Sequence, residues 1–142
     1  MKYLLFYIIS LLSLTACIRE DLPAGSFALE KGDLLPEFSI SNPDGTVSNK
    51  DLENKFALII FFSTTCSDCR EAFPNISTLY NMYKDNPSVR ILLIARNETE
   101  EQVTAYFREH QYDMKFFADP DLNVYSLFAD NTIPRVFLAD KD

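Results

Sequence analysis

The sequence predicts a single α/β domain built around buried parallel strands. Residues 57–62 form an unbroken run of apolar, β-branched and aromatic side chains, which is typical of a strand buried on both faces. Residues 89–95 form a second run of this kind, and apolar residues at helical spacing lie between the two. Strand, helix and strand in this order predict a right-handed parallel crossover. The 142 residues are enough for one such domain and its core.

The first 16 residues have the pattern of a bacterial secretion signal. A short basic start is followed by an apolar run from Leu4 to Leu14, which is too short for a permanent membrane-spanning helix. The next residues, Thr15-Ala16-Cys17, complete a sequence similar to the lipobox of bacterial lipoproteins. We therefore predict a signal peptide over residues 1–16 and lipid attachment at Cys17. The alternative is an ordinary signal peptide followed by an unrelated cysteine.

Residues 17–33 are predicted to be a lipid-anchored tether. They include Pro, Gly and acidic residues without periodicity, so we expect little fixed structure there. The globular domain would then occupy residues 34–142. This arrangement predicts a protein of the cell envelope that faces an extracytoplasmic space, which is the periplasm in a Gram-negative cell.

A small hairpin is predicted ahead of the first buried strand. Residues 36–41 alternate in polarity, the segment from Asn42 to Gly45 is a strong turn signal, and residues 46–48 can return as a second strand. The polar residues 49–55 then predict a turn or a short helix that leads into the buried strand.

Two cysteines, Cys66 and Cys69, follow the first buried strand directly, where the helix begins. A helix N-terminus offers free N–H groups and a partial positive charge, which favour a thiolate over a thiol. Cys66 is therefore the candidate reactive sulfur, and Cys69, one turn deeper, could resolve a mixed disulfide formed at Cys66. Asp68 between them should stabilise the helix start by about 0.3–1 kcal/mol, while its charge opposes a thiolate at Cys66.

The remaining chain predicts two further helices and two further strands. Residues 97–101 start a helix with acids in its first turn, and residues 114–118 are a candidate short strand. Residues 119–121 open one or two helical turns, and residues 135–139 form a last strand. The residues expected on the inward faces of the helices are Phe73, Ile76, Tyr80, Tyr83, Val103, Tyr106, Phe107, Leu122, Tyr125 and Phe128. His110 closes its helix and is expected at the surface or partly packed.

These features together resemble the thioredoxin superfamily, and within it the TlpA/ResA-like membrane-anchored thiol-disulfide oxidoreductases of bacterial envelopes. The resemblance runs from about Leu34 to the end of the chain. It implies a thioredoxin-like three-layer α/β fold with a central mixed sheet and an N-terminal hairpin. The features that carry it are the hairpin, the Cys66-Ser67-Asp68-Cys69 motif after a strand, Pro74 in the following helix, the second buried strand, and Ile133-Pro134 before the last strand.

The resemblance also implies roles for particular residues. Pro134 would be cis and would pack beside Cys66, while the backbone of Ile133 would bind the substrate polypeptide. Pro74 would bend the helix that carries the cysteines; the alternative is that the helix starts after it. Glu98 matches a glutamate that such proteins place near the cysteines, where it is a candidate proton relay. The alternative for Glu98 is an ordinary acid in the first turn of a helix.

The sequence departs from the family pattern at several places. Thr65 stands where the family usually has Trp, Ala72 where this branch often has Glu, and Ile60 where thioredoxin has a buried Asp. The fold also normally adds a strand and a helix after the strand at residues 135–139, and both are missing here. We therefore expect an exposed edge strand, and either a fragment or a weakly stable product.

The function predicted from these residues is thiol-disulfide exchange between the Cys66/Cys69 pair and partner proteins. An upstream electron donor or acceptor in the envelope would reset the pair, and family analogy favours a reductant. We expect no cofactor other than the redox-active disulfide, a membrane contact through the lipid, and a monomer. The net charge of −8 argues against nucleic acid as a partner.

Exchange has three alternatives. One is a non-catalytic thioredoxin-like binding module in which Cys66 and Cys69 form a static bridge. A zinc site is disfavoured because His110 is the only histidine and no further free cysteine remains. A peroxiredoxin-like antioxidant relative is disfavoured because Ser63 and Ile59 stand where its active-site motif has Thr and Pro.

Overall fold

Two sheets and three helices form the part of the chain that the computed structural model describes, residues 27–141. The predicted signal peptide and Cys17 lie outside the described residues. A 3-10 turn at Asn49–Leu52 joins the hairpin to the first buried strand. The elements are β1 (Ser39–Asn42), β2 (Gly45–Ser48), β3 (Phe56–Phe62), α1 (Ser67–Tyr83), β4 (Val89–Arg96), α2 (Glu100–Glu109), β5 (Phe117–Asp119), α3 (Tyr125–Phe128) and β6 (Arg135–Ala139).

The predicted hairpin is present as the antiparallel pair β1–β2. The Asn42 side-chain oxygen accepts hydrogen bonds from the N–H groups of Asp44 (3.0 Å) and Gly45 (3.1 Å), which closes the turn. Gly45 has a φ of 145°, a value that residues with a side chain rarely adopt. The turn predicted from Asn42 to Gly45 is thus confirmed, and these two residues form it.

The main sheet has the strand order β5-β4-β3-β6. Strand β3 pairs in parallel with β4, and β4 pairs in parallel with β5, whereas β6 runs antiparallel to β3. The sheet is therefore mixed, and α1 makes the predicted crossover from β3 to β4. The third parallel strand, β5, lies at Phe117–Asp119, at the C-terminal end of the segment predicted for it.

The two faces of the sheet bury separate apolar clusters, as the three-layer prediction requires. Alternate residues of β3 point to opposite faces: Ile59 and Phe61 to one, Ile60 and Phe62 to the other. The first face packs against the hairpin and α3, and the second packs against α1 and α2. The helix and hairpin residues in these clusters are Phe38, Ile40, Val47, Tyr125 and Phe128 on the first face, and Phe73, Tyr80, Val103 and Phe107 on the second.

Helix α1 is continuous over 17 residues and contains Pro74 in its interior. The alternative that this helix starts after Pro74 is therefore wrong. The prediction that Tyr83 faces inward is also wrong, because its side chain is exposed at the last turn of α1. None of the helices between residues 27 and 141 is both long and apolar enough to cross a membrane.

Strand β6 lies at an edge of the sheet and pairs only with β3 within the described residues. Phe137 points into the first cluster, where its ring contacts Phe61 and Phe128. Its neighbours Val136 and Leu138 point to the opposite face and are 55% and 74% exposed. The expectation of an exposed edge with an uncovered apolar face holds for this strand.

The start of the described chain is more ordered than a tether was expected to be. Residues 27–29 run beside residues 128–130, with a bridge between Ala28 and Ala129. The Leu29 N–H donates to the Phe128 carbonyl at 2.9 Å, and the Asp130 N–H donates to the Phe27 carbonyl at 3.1 Å. The expectation of little fixed structure is therefore wrong for these three residues, because they supply backbone partners to the loop before β6.

Candidate active site

Cys66 occupies the N-cap position of helix α1, as the sequence predicted. Its Sγ accepts a hydrogen bond from the Cys69 N–H at 3.4 Å, one of the backbone donors that a helix start leaves free. The side chain is partly exposed, so a sulfur outside the protein can reach it. On its other side, the Cys66 thiol donates to the Ile133 carbonyl at 3.6 Å.

Cys69 is fully buried, with 0% of its surface exposed. Burial, followed by a hydrogen bond with Cys66, raises the pKa of the Cys69 thiol to about 12. At neutral pH Cys69 is therefore protonated, and it is a free thiol like Cys66. The pair thus combines an accessible sulfur with a covered, protonated one.

The segment before β6 brings Ile133 and Pro134 to Cys66. The Ile133-Pro134 peptide bond is cis, which is the isomer that the resemblance implied. Ile133 is half-buried and contacts both apolar clusters. The residue before it, Thr132, has a φ of 68°, which a β-branched residue rarely adopts. The fold thus places Ile133 beside the Cys66 sulfur, although the two residues are 67 positions apart in the sequence.

Glu98 lies beneath the loop that carries Cys66, with only 5% of its surface exposed. One carboxylate oxygen accepts the Thr64 N–H at 2.8 Å, and the other accepts the Thr64 hydroxyl. Glu98 precedes Thr99, the N-cap of α2, so it is not an acid of the first helical turn, and that alternative is wrong. Its role as a proton relay remains a prediction that this placement allows.

The loop between β3 and Cys66 is held by hydroxyl groups. Ser63 Oγ lies 2.8 Å from Thr65 Oγ1 and accepts the Thr65 N–H at 3.2 Å, while the Ser63 carbonyl accepts the Cys66 N–H at 3.3 Å. Thr65, which stands where the family has Trp, is exposed to solvent. The sequence reading missed Thr64 as a site residue, and no local pattern marks it, because its partner Glu98 is 34 positions away.

Tyr125 is a second residue whose contact with the site was missed. The sequence predicted it only as a core residue of α3, and its ring is indeed in the core. Its hydroxyl, however, donates to the carbonyls of Asn131 and Thr132, just before Ile133. The available signal was chemical: a hydroxyl group at an otherwise apolar position needs a polar partner when it is buried.

His110 and the acidic residues do not form a metal site with the cysteines. Within residues 27–141, no group of three or more His, Cys, Asp or Glu side chains is arranged to hold a metal ion. His110 is exposed at the end of α2, where its ring stacks on Tyr106 with 4.0 Å between the ring centroids.

Comparison with known proteins gives matches over most of the chain. The family model described as Redoxin matches residues 30–142. The thiol-disulfide oxidoreductase ResA of Bacillus subtilis is 23% identical over 120 residues, which are 84% of this chain and 66% of that protein. ResA of Oceanobacillus iheyensis is 29% identical over 113 residues, 75% of this chain and 57% of that protein. The chain thus spans less than two thirds of the length of either relative.

Solved structures match the fold as well. A candidate protein disulfide isomerase from Bacteroides thetaiotaomicron superposes with a TM-score of 0.72 and 28% identity, over 78% of this chain and 72% of that one. A candidate thioredoxin from Neisseria meningitidis gives a TM-score of 0.65 and 30% identity, over 75% and 72% of the two chains. These matches confirm the prediction of a thioredoxin-like fold with a central mixed sheet.

Proposed function

Because the chain belongs to the Redoxin family, we propose that it is a thiol-disulfide oxidoreductase that exchanges the Cys66/Cys69 pair with partner proteins. One observation carries the proposal: an accessible sulfur at a helix start lies opposite the Ile133 carbonyl, with a buried, protonated thiol one turn behind it. The names of the ResA relatives describe the same reaction.

The first step joins Cys66 to the partner. The Cys66 thiolate attacks one sulfur of a partner disulfide, so a bond forms between Cys66 and that sulfur while the partner's S–S bond breaks. The second partner sulfur leaves as a thiolate and takes a proton from solvent. The Cys69 N–H that Cys66 accepts would stabilise the attacking anion.

The second step releases the partner. Cys69 loses its proton and attacks Cys66, which forms the Cys66–Cys69 disulfide and expels the partner sulfur as a thiolate that is then protonated. The partner has gained two electrons and two protons, and a dithiol donor must reduce the Cys66–Cys69 disulfide before the next cycle. The same steps in reverse would oxidise a partner dithiol. No cofactor is needed in either direction.

We assign Glu98 to the proton transfer in the second step. Cys69 has to lose a proton in a buried place, and Glu98 supplies a buried carboxylate bonded to Thr64, two residues before Cys66. Ile133 would hold the partner chain through its backbone, since its carbonyl already faces the Cys66 sulfur.

We further propose that the domain acts on the outer side of a membrane, held there by a lipid on Cys17. The support is the N-terminal sequence pattern, with a signal peptide over residues 1–16. A Cys17→Ser variant should no longer incorporate labelled fatty acid and should leave the membrane fraction. Unchanged labelling would refute the anchor without affecting the exchange chemistry.

Trapping the mixed disulfide tests the exchange directly. In a Cys69→Ser variant the second step is blocked, so a partner protein should stay bonded to Cys66 and be released by dithiothreitol. A Cys66→Ser variant is the matched control. If the Cys69→Ser variant retains nothing more than this control, the binding module becomes the better interpretation. Turnover with a disulfide substrate but not with hydrogen peroxide would separate exchange from peroxide reduction.

A further inference from the structure

A tyrosine on helix α3 is bonded to the loop that presents Ile133 to Cys66. Tyr125 is 1% exposed, and its hydroxyl donates to the carbonyls of Asn131 and Thr132, the latter at 2.9 Å. Burial raises the pKa of Tyr125, so the hydroxyl keeps its proton at neutral pH and remains a donor.

Two contacts fix the ring of Tyr125, and a third holds its backbone. Phe61 packs edge-on against it with 5.2 Å between the ring centroids, and the Arg96 guanidinium lies 4.7 Å from its centroid. The Tyr125 N–H donates to the buried Asp119 carboxylate at 2.7 Å. The hydroxyl therefore occupies a defined point relative to the sheet, and it can hold the loop in place.

The bonded loop contains a strained residue. Thr132 has a φ of 68°, and β-branched residues are disfavoured in this left-handed region, so contacts outside the residue must keep it there. The Thr132 hydroxyl donates to the Asn131 side-chain oxygen at 2.9 Å, and Arg135 Nη2 donates to the Asn131 carbonyl at 3.5 Å. Of the contacts on this loop, the one from Tyr125 joins both carbonyls to the core.

We propose that Tyr125 is a positioning residue for the exchange reaction: it keeps Thr132 left-handed and so keeps the Ile133 carbonyl facing Cys66. Thr132 immediately precedes Ile133, whose carbonyl lies 3.6 Å from the Cys66 sulfur. Rotation of the Thr132 backbone would therefore turn the Ile133 carbonyl away from Cys66. The inference rests on the proposed function, because it takes the Ile133 backbone as the part that binds a partner polypeptide.

The test separates polypeptide binding from sulfur chemistry in a Tyr125→Phe variant. The reduced protein reacts in one experiment with a peptide containing one internal disulfide, and in another with the small disulfide dithionitrobenzoate. The variant should need about tenfold more peptide for half-saturation, because the loop loses the buried hydroxyl that donates to both the Asn131 and the Thr132 carbonyls. The maximal rate and the rate with dithionitrobenzoate should change much less than the peptide affinity, because the Cys69 N–H that bonds the Cys66 sulfur lies on α1 and is not affected.

Two further variants show whether the hydroxyl acts through Thr132. Tyr80→Phe is the matched control, since it removes another buried hydroxyl, one that accepts the Lys115 N–H at 3.2 Å instead of bonding this loop. It should leave both reactions unchanged. Adding Thr132→Asn to Tyr125→Phe should restore most of the peptide affinity, because Asn adopts the left-handed conformation more readily than Thr.

Unchanged half-saturation in Tyr125→Phe would overturn the proposal, and so would an equal slowing of both reactions. If the unaltered protein reduces the peptide no faster than a Cys66→Ser variant, the proposed function itself fails. In that case the backbone chemical shifts of Thr132 still test whether the Tyr125 hydroxyl keeps Thr132 in the left-handed conformation. Shifts that stay the same in Tyr125→Phe would show that the hydroxyl does not hold the left-handed conformation.

Discussion

The two cysteine sulfurs differ in exposure although only two residues separate them. Cys66 caps the helix at the surface, and Cys69 lies under the first turn with none of its surface exposed. The sequence spacing predicts that both belong to one helix start, but the raised pKa of the Cys69 thiol depends on its burial. The chemistry of the pair is thus set residue by residue, by what covers each sulfur.

A first prediction concerns the pH dependence of Cys69. Its pKa lies near 12 rather than at the ordinary 9.0, so the thiol stays protonated across neutral and mildly alkaline pH. In a Cys66→Ser variant, burial, the larger cause, remains, and the rate of Cys69 alkylation should still be rising at pH 10. Mass spectrometry of iodoacetamide-treated protein measures this rate. A plateau at or below pH 9 would contradict the burial argument.

The same shift affects stability. The Cys69 thiol ionises near 9 in the unfolded chain and near 12 in the folded one, so the folded state binds more protons between these values. The free energy of unfolding contributed by this group is therefore retained below pH 9 and falls as pH rises above it. Urea titrations of the reduced protein at pH 8 and pH 10 should show the loss, and a Cys69→Ala variant should lack it.

A second prediction concerns Glu98. A Glu98→Gln variant can keep both hydrogen bonds to Thr64: its side-chain oxygen accepts the Thr64 N–H, and its NH₂ group donates to the Thr64 hydroxyl. The amide cannot, however, take up a proton. Release of the partner from the mixed disulfide should slow by about 100-fold, while alkylation of Cys66 should be unaffected. Glu100→Gln, which changes an exposed acid of α2, is the control. Equal release rates in the two variants would exclude Glu98 from the proton transfer.

At the scale of elements, helix α2 starts at a point that the sequence marks clearly. Thr99 Oγ1 accepts the Gln102 N–H at 3.4 Å, and the Gln102 side chain accepts the Thr99 N–H at 2.8 Å, so the two form a capping box. Because Glu98 directly precedes this cap, the start of the helix helps to set where the carboxylate lies. A capping motif that can be recognised in the sequence thus helps to position a residue of the candidate site.

The cap yields a third prediction. A Thr99→Ala variant loses the acceptor for the Gln102 N–H and should be less stable by about 1 kcal/mol. Thr104→Ala, in the exposed interior of the same helix, should be neutral or stabilising by up to about 0.5 kcal/mol, since Ala is the better helix former. Urea denaturation followed by circular dichroism measures both. Equal stabilities of the two variants would mean that the cap contributes nothing.

At the scale of the whole molecule, the sheet is covered unevenly. The hairpin and α3 cover one face, and α1 and α2 cover the other, but Val136 and Leu138 of β6 remain exposed beyond them. An edge strand with apolar side chains on an open face favours association between molecules. Within residues 27–141, β6 is thus an edge strand at which molecules can associate.

A fourth prediction compares neighbouring residues of β6. In the 142-residue chain, Leu138→Lys should change the free energy of unfolding by less than about 0.5 kcal/mol and should reduce self-association, because the side chain is in water. Phe137→Ala should cost about 2 kcal/mol or more, because this ring packs on Phe61 and Phe128. Urea titration and light scattering test both effects. A large loss of stability in Leu138→Lys would show that this face is covered.

The order of elements and the place of the cysteines could be predicted because both depend on neighbours in the sequence. The run at residues 57–62, the turn at Asn42–Gly45 and the helix after Cys66 carry their own physical signals. The inward face of α1 was predicted correctly for Phe73 and Tyr80 and wrongly for Tyr83, since helical periodicity does not say where the covering sheet ends.

The sequence by itself determined an α/β domain with two cysteines at the junction of a buried strand and a helix. Only the tertiary structure decided that Glu98 lies under Thr64, that Tyr125 bonds the loop before Ile133, and that Cys69 is sealed from water. Glu98 and Thr64 are 34 positions apart, and Cys66 and Ile133 are 67 positions apart, so no local period or motif predicts that they meet. These pairs meet because the strand register and the helices packed on the sheet bring distant segments together. Local sequence patterns cannot specify that arrangement.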